Sequence, residues 1–215
     1  MKTRRLLKRQ IVILANSRKM GNRCIAGIDM RTGEWMRPCF GSGDEGVPWN
    51  VRQVEEREPE LLEVLAIPLA NDGPHRDCQP ENHLLLDGPW GKVGRVEASQ
   101  ILKYCDEDEL LLHNADKRIH VNNLLKIPAA ERKSLCLVRA HVKFFTEGTY
   151  KGKKVNASFL YGSHKYCLPV TDYEFERKFP AYSTAEADCI MTISLGSPYD
   201  RDNCCYKFVA GVIEL

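Results

Sequence analysis

Apolar and polar residues alternate most clearly in the second half of the chain. Between Leu135 and Thr146, Val138, Ala140, Val142 and Phe144 fall on one face while Arg139, His141 and Lys143 fall on the other. This period of two marks a half-buried strand with a basic outer face. After the polar stretch 147–154, a second alternation groups Val155, Ala157, Phe159 and Tyr161. Gly162-Ser163 is a two-residue hairpin signal, and residues 164–170 return with Tyr166, Leu168 and Val170 in phase. Thr171-Asp172-Tyr173-Glu174 fits a capping box with Thr171 as N-cap. It opens a short helix with Phe175 and Phe179 on one face, ended by Pro180. Two more alternations, 188–195 and 205–214, flank the polar loop 196–203.

Five short strands with one helix after the third is the order of an OB-fold, a small Greek-key barrel. Its ligand surface is usually the face of strands two and three, bordered by the loops joining strands one to two and four to five. Here those loops are 147–154 and 196–203.

The first half predicts strands at about 10–16, 23–30, 34–40 and 61–69, with turns at Gly21-Asn22 and Thr32-Gly33. Residues 41–60 read as an elaborated loop, 83–86 as a short strand and 97–105 as a helix. Gly91-Lys92-Val93-Gly94-Arg95 has glycines and cations but no Gly-Lys-Ser/Thr ending, so it reads as a basic loop rather than a phosphate cradle. The hydrophilic stretch 127–133 is the expected boundary between units 1–128 and 129–215. The expected fold is mainly β, two OB-like barrels in tandem with a few short helices.

Composition narrows the class. A chain of 215 residues with 43% hydrophobic and 28% charged content can bury a core and is too balanced for disorder. The apolar run after the basic start stops at Asn16, too short for a secretory core, and no run approaches a membrane span. The expectation is a cytoplasmic protein. Nine cysteines, an odd number and scattered, read as reduced thiols rather than a disulfide framework.

The net charge of +2 is uninformative, but residues 1–52 hold eleven Lys and Arg against four acids. Such asymmetry favours a polyanion-binding surface. Cations neutralise phosphates and aromatic rings stack on bases, so a nucleic-acid site interleaves the two. In the first half Asn16, Ser17, Arg18, Lys19, Arg23, Trp35 and Arg37 form such a set across three strands. In the second, Tyr150, Lys151, Lys153, Lys154, Tyr199 and Arg201 occupy the two loops expected to border the groove. The plain alternatives are solvated surface charge, a core role for Trp35, and a carboxylate partner for Arg37.

The stretches ILANSRKMGNRCIAGID, WMRPC, HKYCLPVTDYEFE and SLGSPYDRDNCCYKFVAGVI together resemble the dual-OB-containing domain family of bacteria and archaea. The likeness spans nearly the whole chain. It implies two OB-like units in tandem with a nucleic-acid-binding role; no cofactor is expected. The loop Asp200-Arg201-Asp202-Asn203-Cys204 is longer and more charged than the short Gly-containing turn of that family.

Other chemistries are less well supported. Ser17 with His75 and a carboxylate would make a nucleophilic set, but no Gly-x-Ser-x-Gly elbow is present. The run Asp106-Glu107-Asp108-Glu109 points its acids in different directions. His75, Cys78 and His83 are zinc-compatible types in one loop-rich segment but lack paired Cys-x-x-Cys knuckles, so no metal is expected. The sequence therefore favours a non-catalytic module for nucleic acid, single-stranded DNA or RNA, over an enzyme. The alternative is a small-ligand or nucleotide-sensing domain, or a protein-interaction domain, using the cleft between the units.

Overall fold

The computed structural model describes residues 8–43, 45–149 and 152–215. The first half contains β1 (Lys8–Lys19), β2 (Asn22–Asp29), β3 (Trp35–Cys39), α1 (Trp49–Arg52), β4 (Glu63–Pro68), β5 (Asn82–Leu84), β6 (Gly91–Arg95) and α2 (Ala98–Ile101). After β7 (Arg118–His120) and α3 (Val121–Leu124) come β8 (Leu135–Thr149), β9 (Gly152–Tyr161), β10 (His164–Pro169), α4 (Tyr173–Lys178), β11 (Thr184–Leu195) and β12 (Cys204–Glu214). The fold is mainly β: two curled sheets, ordered β5-β3-β2-β1-β4-β6 and β10-β9-β8-β11-β12-β7. A parallel bridge between Val170 and Val209 brings the β10 end of the second sheet round to β12. Among the described residues no helix is long and apolar enough to cross a membrane.

Several local expectations shift by a residue or more. The β1–β2 turn is Met20-Gly21, with φ of 48° and 81°, so it sits one residue before Gly21-Asn22. Positive φ at both central positions matches the right-handed twist of a hairpin. The N-cap of α4 is Asp172 rather than Thr171: its carboxylate accepts from the Phe175 amide, while the Thr171 hydroxyl donates to Val209 O. Residues 91–95, expected as a loop, form β6 on the edge beside β4. Strand β7 has no clear alternation in so short a segment. It joins the second sheet although it precedes residue 128, and Leu111, Leu112, Ile119 and Leu124 pack into that sheet's core.

One buried cation fixes this early segment to the last strand. Lys207 on β12 is 1% exposed, and its ammonium donates to the carbonyls of Leu111 and Asn114 and to Asn114 Oδ1. Burial lowers its pKa to about 8.

The two sheets meet along a buried apolar seam. The apolar run of β1 is buried on both faces: Ile11 and Ile13 enter the first sheet's own core, whereas Val12 and Leu14 pack against Leu137, Ile190 and Ile213 of the second sheet. A bulge in β1 leaves Leu14 outside the β1–β2 register. Its carbonyl accepts a 2.6 Å hydrogen bond from Thr192 Oγ1. β12 bulges as well, between the partners of Thr192 and Ile193, so that the two irregular strands face each other. Gly211 is the contact point: a Cβ there would lie 2.1 Å from Leu14 O, backbone against backbone.

Gly211→Ala is therefore expected to destabilise the protein by about 3 kcal/mol through overpacking. Thr192→Val, which leaves the Leu14 carbonyl buried without a donor, is expected to lose about 1–3 kcal/mol. Thr192→Ser should retain most of it. Urea unfolding of the three variants checks this, and unchanged midpoints for the first two would show that the seam does not hold the sheets together.

Candidate functional site

The end of β1 is held by more than its own sheet. Beyond the bulge, Ser17 bridges Asp172 and the Arg18 amide donates to Thr171 O at 2.9 Å. This short ladder divides the space beside the seam into two clefts. Asn16 and Asp172 line one of them, and Ser17, Arg18, Lys19 and Thr171 line the other.

The two clefts differ in sign. The cleft beside Asn16, about 610 Å³, gathers Glu58, Glu60, Asp172, Glu174 and Glu214 against Arg57, Arg95 and Lys178. The cleft beside Arg18, about 800 Å³, is lined by Arg18, Lys19 and Arg37, with Asp200 as its one carboxylate among the described residues. Its opposite wall comes from Ser194, the loop 196–200 and Phe208. Gln79 ties the walls together by donating to Leu195 O at 2.8 Å. The Ser197 hydroxyl is buried in this wall without a hydrogen-bond partner.

Each cation has a distinct environment. Arg18 is half-exposed and clamps Glu176 through Nε at 2.6 Å and Nη2 at 2.9 Å. Lys19 donates to Gly43 O at 2.7 Å on the rim. Next to it, Met20 stands 85% exposed. Arg37 lies at the cleft floor, 3% exposed. Its Nη1 donates to Asn82 Oδ1 and Ser134 Oγ, both at 3.0 Å, and its Nη2 donates to Ser194 Oγ at 3.2 Å and Ser134 O at 3.3 Å. No carboxylate pairs with it among the described residues. The Glu81 carboxylate lies one hydroxyl away, since Ser134 Oγ accepts from Arg37 Nη1 and donates to Glu81 Oε2, while the Arg37 amide donates to Glu81 O at 2.7 Å.

The structure separates the residues grouped by sequence. Arg18, Lys19, Arg37 and Ser17 share the basic cleft, but Asn16, 5% exposed, faces the acidic one and donates to Pro59 O. Arg23 is not available to a surface ligand: it is 8% exposed, with its guanidinium 3.6 Å over the Tyr173 ring. Trp35 is no open stacking platform either, since it packs at the seam against the cluster of Ala15, Ala26, Leu135 and Ala210.

The loop residues also part company. The register of β8 with β11 runs from Phe145 opposite Thr184 to Leu135 opposite Ser194, so the loops after β8 and after β11 leave opposite ends of this ladder. Tyr199 and Arg201 form a pair at one end, 6.0 Å from guanidinium to ring centroid, with Tyr199 48% exposed. Tyr206 lies edge-on to Tyr199, and Arg118 donates to its hydroxyl. At the other end Lys154 is exposed opposite Glu147, and Lys153 donates to Phe179 O. Tyr150 and Lys151 lie outside the described residues.

The segment 75–83 does not gather ligands. Cys78 turns into the second sheet's core, and His83 Nδ1 lies 2.9 Å from Ala70 O. No group of three metal-capable side chains occurs among the described residues. The acidic run is likewise engaged: Asp106 and Asp108 both hold Lys133 at 2.7 Å.

Sequence reading missed Gln79, Ser194 and Phe208 as cleft walls, and reached Ser197 only as part of the loop 196–203. The available signal was β11, where Ile190, Thr192 and Ser194 form an uncharged face opposite Cys189, Met191 and Ile193. A strand without charge on either face is covered on both.

The ladder between the clefts carries a titratable group. Burial raises Asp172 from 3.8 to about 6, against hydrogen bonds from the Phe175 and Val212 amides. A carboxyl raised on folding favours the folded state when protonated, so its contribution is lost as pH rises through about 6. Between about pH 4 and 6 the loss is on the order of 2–3 kcal/mol. Glu63 slopes the other way at lower pH: despite burial, Arg57, Lys92 and the Glu60 amide hold it at about 2, so its contribution is lost as pH falls. Asp172→Asn should abolish the decline between pH 4 and 6, as read by urea unfolding across that range. The same slope in the variant would assign the effect to another group.

A family profile described as Dual OB-containing domain (DuOB) matches residues 9–212. No curated protein and no solved structure matches the chain.

Proposed function

The chain belongs to the dual-OB-containing domain family, and from that premise we propose that it is a non-catalytic module binding single-stranded nucleic acid at the basic cleft. The observation that carries this reading is the cleft's charge: Arg18, Lys19 and Arg37 line it with Asp200 as its one lining carboxylate among the described residues, Glu176 holding one side of Arg18 from outside, next to the exposed Tyr199–Arg201 pair. Lys19 and the solvent side of Arg18 meet the phosphates, and Tyr199 offers a flat face to an unstacked base. A duplex keeps its bases stacked inside, whereas a flexible strand can turn one base into a concave site. The partner is accordingly single-stranded DNA or RNA. An odd set of nine cysteines scattered through both sheets fits a reducing, cytoplasmic setting.

A second reading has one observation in its favour. The cleft volume of about 800 Å³ falls in the range of small-ligand pockets, so a free nucleotide would fit. Salt separates the two, because a strand that displaces several counterions loses affinity steeply with ionic strength.

Fluorescence anisotropy with labelled single strands and duplexes across a salt series tests the proposal. Single strands are expected to bind more tightly than duplexes, with affinity falling as salt rises. Lys19→Glu should weaken binding about tenfold or more and flatten the salt slope by about one. Tyr199→Ala should lose about 1–3 kcal/mol with the slope unchanged. Affinity indifferent to both substitutions would remove the cleft from the binding surface.

A further inference from the structure

We propose that Arg37 is the seat of a phosphate monoester, the terminal phosphate of a strand or of a nucleotide, inserted into the basic cleft. The inference deepens the nucleic-acid reading and rests on the same cleft. Its starting point is an electrostatic imbalance. A guanidinium that is 97% buried normally faces a carboxylate, because an unpaired buried charge is costly. Arg37 is 3% exposed, yet each of its four acceptors is neutral, at 3.0–3.3 Å. Charge-assisted bonds to an anion are shorter, about 2.7–2.9 Å. The nearest acid in the network, Glu81, is already satisfied by the Ser134 hydroxyl and by the amides of Ser134 and Leu135. Among the described residues the guanidinium therefore has no direct carboxylate partner, and Glu81 answers its charge only across the Ser134 hydroxyl.

Two further features point the same way. Ser197 presents a buried hydroxyl with no partner in the opposite wall, a donor for an incoming oxygen. Lys19 stands on the rim of the same cleft. The depth of Arg37 selects the kind of phosphate. An internal phosphodiester carries chain on both sides, and both substituents would have to descend to the floor with it. A monoester has one substituent and enters end-on. It also carries about −1.5 to −2 charge near neutral pH, whereas a diester carries one, so it answers the buried guanidinium better. Asp200 repels the more highly charged monoester more than a diester, but Arg37 and Lys19 in the same lining attract it more in the same proportion.

The test compares labelled single strands of one sequence that end in a 5′-phosphate, a 3′-phosphate or hydroxyls at both ends. A nucleoside 5′-monophosphate serves as competitor and as a ligand in thermal melting. One phosphorylated end is expected to bind about tenfold or more tightly than the hydroxyl-ended strand, and the monophosphate should erase that advantage. Arg37→Lys keeps the charge but loses the fork, and it should bring the affinities of phosphorylated and hydroxyl-ended strands to within about twofold of each other. Because Arg37 also joins Asn82 to Ser134, this variant is read beside its melting curve, and the wild-type comparison decides if it does not fold. Equal affinity for all three strands overturns the monoester seat and leaves the strand reading standing. No strand binding, with melting raised by the monophosphate, keeps the seat, names the free nucleotide as its source and removes the strand reading. No response to either overturns both.

Discussion

Two bulged strands meet at one carbonyl, and the molecule is arranged around that meeting. Leu14 falls out of register with β2, which turns its carbonyl towards the second sheet, where Thr192 donates to it and Gly211 leaves room for it. A regular β1 would keep that carbonyl in its own ladder. The bulge thus converts an intrasheet group into the link between the sheets, and Val12 and Leu14 follow it into the seam. Hydrogen bonds made away from water and apolar burial act together here, with the backbone contact setting the distance at which side chains can pack.

The seam also sorts the charges. Cations that leave β1 and β2 next to it are drawn into contacts across it, Arg18 to Glu176 and Arg23 onto Tyr173. Their side chains act first as fasteners between sheets. What remains is an acidic cleft on one side of the Ser17–Asp172 bridge and a basic one on the other. An anionic polymer approaching the molecule is attracted to one side and repelled from the other, which orients the encounter before any contact forms.

The second half of the fold was legible because β8 to β10 alternate between a core face and a more exposed one, and because β11 and β12, although largely covered on both faces, are set off by the polar loop 196–203. The first half was less so. In β1 both faces are buried, by different partners, and a continuous apolar run carries no phase. β6 and β7 are short edge strands whose pairing depends on β4 and β12, far away in sequence. The basic cleft was partly legible through Arg18, Lys19 and Arg37, since cations at strand ends stand out locally. Whether each reaches a ligand or a neighbouring element was not, because Glu176 and Tyr173 arrive from about 150 residues downstream, a separation no local pattern encodes. The same blindness covers Arg37, whose neutral acceptors come from three separate segments.

Lys207 has a consequence for the order in which the chain can be made. Its acceptors at Leu111 and Asn114 emerge from the ribosome well before it, the bond to Leu111 O spanning 96 residues. At about 5–20 residues per second, that interval lasts roughly 5–20 s. Throughout it Leu111, Leu112 and Leu124 have no finished core to enter, and the last strand, the one that carries Lys207, is the piece that closes them in. The nascent chain therefore keeps an apolar segment exposed until β12 has emerged, and the second sheet can close over residues 111–124 only when that strand arrives.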